Sequence, residues 1–224
     1  MLAVVIPTLN AAATLGRTLE AVAAGGDAAV EVVVADGGSA DSTCRIAVEG
    51  GARVVVASRG RGRQLAAGAR VAVGAWLLFL HADTRLPRGW RAVVATFAES
   101  PENVGRAGYF RFALDDDAAA ARRLEAAVAW RCRRLGLPYG DQGLLIARRF
   151  YEGLGGYQPM PLMEDVDLVR RIGKRRLVEL GATAVTSAER YRRDGYGRRA
   201  ARNAMCLGLY TAGVPPHLIA RFYG

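Results

Sequence analysis

Cysteine is scarce in this chain. Cys44, Cys132 and Cys206 are odd in number and far apart, with none of the paired spacings of zinc sites or disulfide frameworks. Covalent staples are therefore not expected to hold the fold, and a reducing, cytoplasmic setting is. Long apolar runs are also missing. The longest uncharged stretch, residues 203–220, is interrupted by Pro215 and Pro216 and contains His217, which argues against a spanning helix of about 20 apolar residues. The chain passes from Met1 directly into an apolar run ending at Pro7. It lacks the basic region and longer apolar core of a signal peptide, and reads as a first strand. No internal repeat or low-complexity linker marks a boundary. Negative charge is in the minority, with 21 acidic against 31 basic residues and a net charge of +10. That excess favours an anionic partner such as a nucleotide, an acidic lipid surface or a nucleic acid. Its alternative is arginine spread over solvated helix faces, as in Arg122, Arg123, Arg131, Arg133 and Arg134.

What is present is a regular alternation. Apolar, β-branched runs at residues 3–6, 31–35, 53–57 and 76–80 suit buried strands. The segments between them carry helical spacing, with Leu15, Leu19 and Val22 in one and Leu65, Ala69 and Val73 in another. This order predicts βαβ units and a mostly parallel central sheet flanked by helices. Residues 104–114 alternate around Tyr109, Phe110 and Phe112 as a longer, antiparallel strand, before an arginine-rich helix over 118–134. A further helix starts near Met163. At 224 residues the economical description is one domain, with a nucleotide-binding half to about residue 100 and an acceptor half carrying a C-terminal helical segment.

Ligands of such sheets sit outside the carboxyl ends of the strands, so the residues after each run are where chemistry is sought. Asp36, followed by Gly37, Gly38 and Ser39, offers a carboxylate to a ribose or base beside backbone that a ligand can approach closely. It reads equally as a strand-to-helix turn with Ser39 or Asp41 as a cap. Gly60-Arg61-Gly62-Arg63 opens a helix as a phosphate site would, or is a basic loop with ordinary turn glycines. His81 and Asp83 flank Ala82 at a strand end, where both can reach one divalent ion or diphosphate. The alternative is Asp83 capping a turn before Pro87. Glu164, Asp165 and Asp167 stand in the first turn of a helix, where the dipole favours acids whatever their role, and where a general base is also worth seeking.

In order and spacing, four segments together resemble the family 2 glycosyltransferases. They are Val4 to Asn10, Val32 to Thr43, Leu78 to Thr84, and Met163 to Leu168, and the resemblance spans nearly the whole chain. Leu80-His81-Ala82-Asp83-Thr84, Gly140-Asp141-Gln142 and Glu164-Asp165 look most like the short bacterial transferases named for radical-SAM and selenodomain association. Similar short chains labelled carotenoid-acid glycosyltransferases would suit a lipid-like acceptor.

The resemblance implies a GT-A fold and an inverting transfer of sugar from a nucleotide-diphosphate sugar to an acceptor hydroxyl or carboxylate. It implies donor contacts from Pro7, Thr8, Asn10, Asp36, Gly38, Ser39, Arg63, Ala82 and Asp83, and acceptor contacts from Asp141 and Gln142. A divalent metal, Mn or Mg, is expected on Asp83 and His81. Asp165 is the expected base, in apolar surroundings from Leu162 and Met163, with Glu164 second. Gly37 stands where the family commonly has a second aspartate. His81 replaces the first acid of its D-x-D, a change that suits Mn²⁺ better than Mg²⁺.

The rival readings are a nucleotidyltransferase on a related fold and a non-catalytic nucleotide- or lipid-binding protein. No nucleic acid is expected as a partner. The C-terminal segment from Arg198, with Arg199, Arg202 and the apolar Leu207, Leu209, Tyr210, Leu218, Ile219 and Phe222, either docks peripherally on a membrane or packs on the domain.

Overall fold

The computed structural model describes residues 1–26 and 29–223. Strand β1 (Leu2–Thr8) leads through helix α1 (Ala12–Ala23) to β2 (Val30–Asp36), then α2 (Thr43–Glu49), β3 (Arg53–Val56), α3 (Arg61–Val71) and β4 (Trp76–Phe79). β1, β2, β3 and β4 pair in parallel, in the order β3-β2-β1-β4. The four strands anticipated from sequence are all present. Val4 and Ile6 face one hydrophobic cluster, while Ala3 and Val5 face another on the opposite side. A strand covered on both faces must be apolar at every position, which is why residues 3–6 show no alternation.

Beyond β4 the chain changes direction. After β5 (Thr84–Arg85), α4 (Trp90–Glu99), β6 (Ala107–Leu114), α5 (Ala119–Leu135), β7 (Leu144–Ala147), α6 (Arg148–Gly153), α7 (Glu164–Ile172) and β8 (Leu177–Thr186), it ends in α8 (Glu189–Asp194), α9 (Tyr196–Thr211) and α10 (Pro216–Tyr223). β7 lies antiparallel between β4 and β6. β6 runs parallel to β8, and β8 antiparallel to β5. Among the described residues, eight strands thus form one sheet of order β3-β2-β1-β4-β7-β6-β8-β5, and four of its seven ladders are parallel.

Several expectations are revised. β6 starts at Ala107 because Val104 lies in a 3₁₀ turn, and it is antiparallel only to β7. Val73 falls beyond α3 and is 65% exposed, so the apolar face of that helix ends at Ala69. Arg131 does not lie on a solvated face. Its guanidinium stacks on Tyr139 at 3.4 Å, and its Nε donates to the Leu137 carbonyl at 2.8 Å.

The C-terminal helices pack on the domain: Cys206 and Ile219 are fully buried in one cluster with Leu162, Met163 and Val166. Ile219 is therefore unavailable to a bilayer, and the exposed apolar remainder includes Met205, Leu218 and Phe222. Among the described residues, no helix is long and apolar enough to cross a membrane.

One close approach joins the first and second halves. A Cβ on Gly62, near the start of α3, would stand 2.2 Å from the Gln158 carbonyl oxygen and 3.2 Å from Cβ of Glu164. Gly62 thereby lets α3 seat directly under the loop that precedes α7. Gly62→Ala must push backbone apart rather than bend a side chain. It is expected to destabilise the protein by about 1–3 kcal/mol, the ordinary scale of overpacking, measurable as a lowered urea midpoint at unchanged slope.

Candidate active site

The topology gathers the candidate residues at one edge of the sheet. The parallel strands β1, β2 and β4 all end there, in Thr8, Asp36 and Phe79. Because β7 runs antiparallel with Leu144 opposite Phe79, the preceding turn, Gly140 to Gln142, arrives beside His81. Thr84 pairs with Thr186, their hydroxyls 2.9 Å apart, and the Ser187 amide donates to the Asp83 carbonyl at 3.0 Å. The end of β8 and the start of α8 are thus held against the His81-Ala82-Asp83 turn.

Two connected cavities result. The first, a cleft of ≈ 520 Å³, lies along the ends of β1 and β4 and is lined by Pro7, Thr8, Asn10, Ala82 and Asp83, with Arg59 and Arg61 across from them. The second is lined by Tyr139, Asp141, Leu162, Met163 and Asp165. Arg61, His81, Asp83, Ser187 and Arg190 line both.

Several expected contacts lie behind the wall of the cleft instead. Asp36 is buried, and its carboxylate accepts four hydrogen bonds: from the hydroxyls of Thr8 and Ser39 and from the amides of Gly38 and Ser39. Burial raises its pKa, but these bonds outweigh that and hold the carboxyl below its ordinary value. An ionised carboxylate has about four acceptor sites, so Asp36 is saturated and shapes the 36–39 turn rather than reaching a ribose. Gly38, at φ +89, supplies the turn, and the Ser39 hydroxyl also accepts from the Asn10 amide at 2.8 Å. Gly37 has its own cause: a Cβ there would meet the Gln64 amide group at 3.0 Å.

Arg63 is exposed and turned toward the Arg59 carbonyl. Arg61 is the arginine of that loop that enters the site, pairing with Glu164 at 3.3 Å. Helical geometry separates the two, since residues two apart point to different sides. Gln142 is also withdrawn. It is 1% exposed, donates to the Phe110 carbonyl and accepts from the Tyr139 amide, so it staples the turn and offers an acceptor nothing.

Asp165 lies in the second cavity. Its Oδ2 accepts the Gly140 amide at 2.9 Å and its Oδ1 the Val166 amide at 2.8 Å. The apolar neighbours expected around it, Leu162 and Met163, line the same cavity. Met163 reaches this position through a left-handed conformation at φ +67. Glu164 points the other way: it is fully buried, and Oε2 has no hydrogen-bond partner. Gly140 is the spacer between His81 and Asp165. A Cβ there would lie 2.6 Å from Nε2 of His81 and 3.5 Å from Oδ2 of Asp165.

The charges in the site are strongly perturbed. Burial, together with the positive Arg61 and Arg190, holds His81 well below its ordinary value, so the imidazole is neutral. Burial raises the Asp141 carboxyl to about 6, with Arg131 opposing and Asp165 and Asp83 adding to the rise. Burial likewise lifts Glu164 to about 7 against the pull of Arg61. His81 Nε2 and Asp141 Oδ1 are sealed from solvent without hydrogen-bond partners.

Arg61, Tyr139, Thr186, Ser187, Arg190, Tyr191, Arg199 and Asn203 also line the second cavity and were not singled out as site residues from sequence. Only the Gly60-Arg61-Gly62-Arg63 loop carried a signal for any of them. Tyr139 depends on the turn before β7, and the others on where β8 ends and how the helices after it run.

Solved structures share this architecture. Staphylococcus aureus TarS, residues 1–349, matches over 99% of this chain and 70% of its own with a TM-score of 0.68 at 13% identity. Glucosyl-3-phosphoglycerate synthase of Mycobacterium tuberculosis, in complex with Mn²⁺, UDP and phosphoglyceric acid, matches over 96% of this chain and 79% of its own, with a TM-score of 0.65 at 22% identity. The fold is GT-A, that of the nucleotide-diphospho-sugar transferases. Residues 3–151 match the family model described as glycosyl transferase family 2, and the chain belongs to that family. Glycosyltransferases of PGL/p-HBAD biosynthesis from Mycobacterium tuberculosis and Mycobacterium bovis are 38% identical to it over 93 residues. That match spans 38% of this chain and 36% of the relatives' length.

The buried Glu164 makes a testable difference to stability. Its folded-state pKa, about 7, stands above the ordinary 4.5, so in that window the folded chain binds more protons than the unfolded one. Its contribution is fully present below the window and is lost as pH rises through about 7. Glu164→Gln removes this titration. Wild type is expected to lose stability relative to Glu164→Gln between about pH 5 and about pH 8, read from thermal melts at both values. A constant difference between the two proteins would contradict it.

Proposed function

We propose that the protein is an inverting glycosyltransferase that moves a sugar from a nucleotide-diphosphate sugar to an acceptor hydroxyl or carboxylate. The observation that carries this is the meeting of Asp165 and Asp83 in one cavity that opens into the cleft along β1 and β4. In this reading the 7–10 loop and Ala82 border the nucleoside, and Arg61 and Arg190 face the diphosphate. Asp165 faces the acceptor, oriented by the Gly140 amide. The acceptor oxygen attacks the anomeric carbon, its proton passes to an Asp165 carboxylate oxygen, and the bond to the nucleotide diphosphate breaks on the opposite face. The family membership disfavours a nucleotidyltransferase. A non-catalytic binding protein would have no use for Asp165 in the cavity. The motifs at 80–84, 140–142 and 164–165 support a place among the short bacterial transferases associated with radical-SAM and selenodomain proteins.

The residues present fit a divalent ion. His81 offers a neutral, unpartnered Nε2 and Asp83 a carboxylate on the same turn, a nitrogen and oxygen pair suited to Mn²⁺. Among the described residues, no three such side chains are preassembled around one point, so diphosphate and water oxygens complete the shell. When bound, the ion neutralises charge developing on the leaving diphosphate.

A thermal-shift screen of nucleotide-diphosphate sugars with and without Mn²⁺ identifies the donor, since a ligand of the folded state raises apparent stability. Asp83→Ala is expected to abolish the Mn²⁺-dependent part of the shift. An undiminished Mn²⁺ response in that variant would remove Asp83 from the metal site. Asp165→Asn is expected to lower transfer by about 10²- to 10⁴-fold, the usual cost of losing a positioned base, while the donor shift persists. Near-normal turnover by the Asn variant would overturn the assignment.

A further inference from the structure

Beyond the two cavities lies an open groove of ≈ 1120 Å³ between α8, α9 and α10. It is lined by Arg190, Arg193, Arg198, Arg199 and Arg202, with Asp194 as the acid among them. Asp194 accepts from Arg193 at 2.8 Å, Arg199 at 3.0 Å and Arg202 at 3.4 Å. One carboxylate cannot neutralise five guanidinium groups, and among the described residues Arg190 and Arg198 have no ion pair or hydrogen bond. Like charges held this close repel unless an anion joins them. The groove is continuous with the site, because Arg190 and Arg199 also line the cavity of Asp165.

Two buried polar atoms mark the junction. Arg199 is 9% exposed, yet among the described residues its Nε has no hydrogen-bond partner, and neither has Oδ1 of Asn203. The two residues lie four apart on α9, on one face of the helix, and both line the cavity. A buried polar group left unmatched costs stability, so an unmatched donor and acceptor at the mouth of a cationic groove are the pattern of a polar site that a ligand completes.

We propose that this groove is the acceptor's anion subsite: it holds a phosphate group of the acceptor, so that the acceptor's nucleophilic oxygen is presented to Asp165. The assignment rests on the transferase reading given above. Phosphate is the chemistry that fits, since guanidinium forks bind its oxygens in pairs and several arginines around one anion suit a dianion better than a single carboxylate. The phosphate is either that of a soluble ester or a lipid headgroup; exposed Met205 and Phe222 on the groove's wall are compatible with an apolar tail.

The test titrates the intact protein with inorganic phosphate by calorimetry, with and without saturating uridine diphosphate. In a second arm it measures binding to phosphatidylcholine vesicles with and without phosphatidic acid. Arg198→Gln, which breaks no ion pair, and Arg198→Gln/Arg202→Gln are compared with Arg17→Gln/Arg70→Gln, which removes the same charge elsewhere. Binding that persists in uridine diphosphate and weakens about tenfold or more in the groove variants, but not in the control, supports the subsite. Binding confined to phosphatidic acid vesicles and lost in the same variants supports it with a lipid source. Phosphate that is displaced by the nucleotide belongs to the donor site and overturns the proposal, as does equal weakening in groove and control variants or no binding in either arm. Failure of every nucleotide sugar to bind would count against the transferase reading alone, since the phosphate titration reads the groove independently.

Discussion

The contact between the start of α3 and the loop before α7 is the constraint on which the rest of the site depends. Gly62 brings the two backbones together, and Arg61 closes the contact by pairing with a glutamate that is otherwise sealed from water. A buried carboxylate is costly unless it is paired and hydrogen-bonded, and Glu164 is only half satisfied. The arrangement therefore spends stability to fix position. With Glu164 locked inward, the next residue on the helix, Asp165, is directed into the cavity. The same arginine that locks it lines the cleft along β1 and β4. The two cavities are thus set relative to each other by one side chain.

The mixed sheet does the complementary work. Parallel strands alone would have brought together Thr8, Asp36 and Phe79, and few of the titratable groups of the second cavity. Inserting β7 antiparallel beside β4 carries the Gly140-Asp141-Gln142 turn to the same edge. The short β5 to β8 pairing brings Ser187 and Arg190. Arg131, stacked on Tyr139, with Gln142 held by Phe110, makes the resulting turn rigid enough for a single glycine to set the spacing of His81 and Asp165.

Much of this was legible in the residues. The four parallel strands showed as continuous apolar runs, and the turns at their ends carried Asp83 and the loop of Arg61. Asp165 was legible through its motif and its place at a helix start. What was not legible depends on tertiary choices. The spacing of Gly60-Arg61-Gly62-Arg63 names two arginines, and only the packing under residue 158 decides that Arg61 turns inward and Arg63 outward. Asp36 looked like a ligand contact because the sequence does not show that its acceptor sites are taken up by Thr8, on another strand, together with Gly38 and Ser39 of its own turn. Gln142 looked available because its partner Phe110 lies on β6. The apolar residues of α9 and α10 read as a membrane face or as core, and the burial of Ile219 against Val166 could not be seen from either helix alone.

Gln64 joins these parts in another way. From α3 its amide donates to the carbonyls of Thr8 and Ala35, at the ends of β1 and β2. The first turn of α3 therefore holds the tips of two strands together while its neighbours cover Glu164. If α3 lifts away, the strand tips, the cleft along β1 and β4 and the buried carboxylate are all released in one event. Amides around residues 8, 36 and 165 would then exchange with solvent at a common rate, as one cooperative opening unit, although they lie on three different elements.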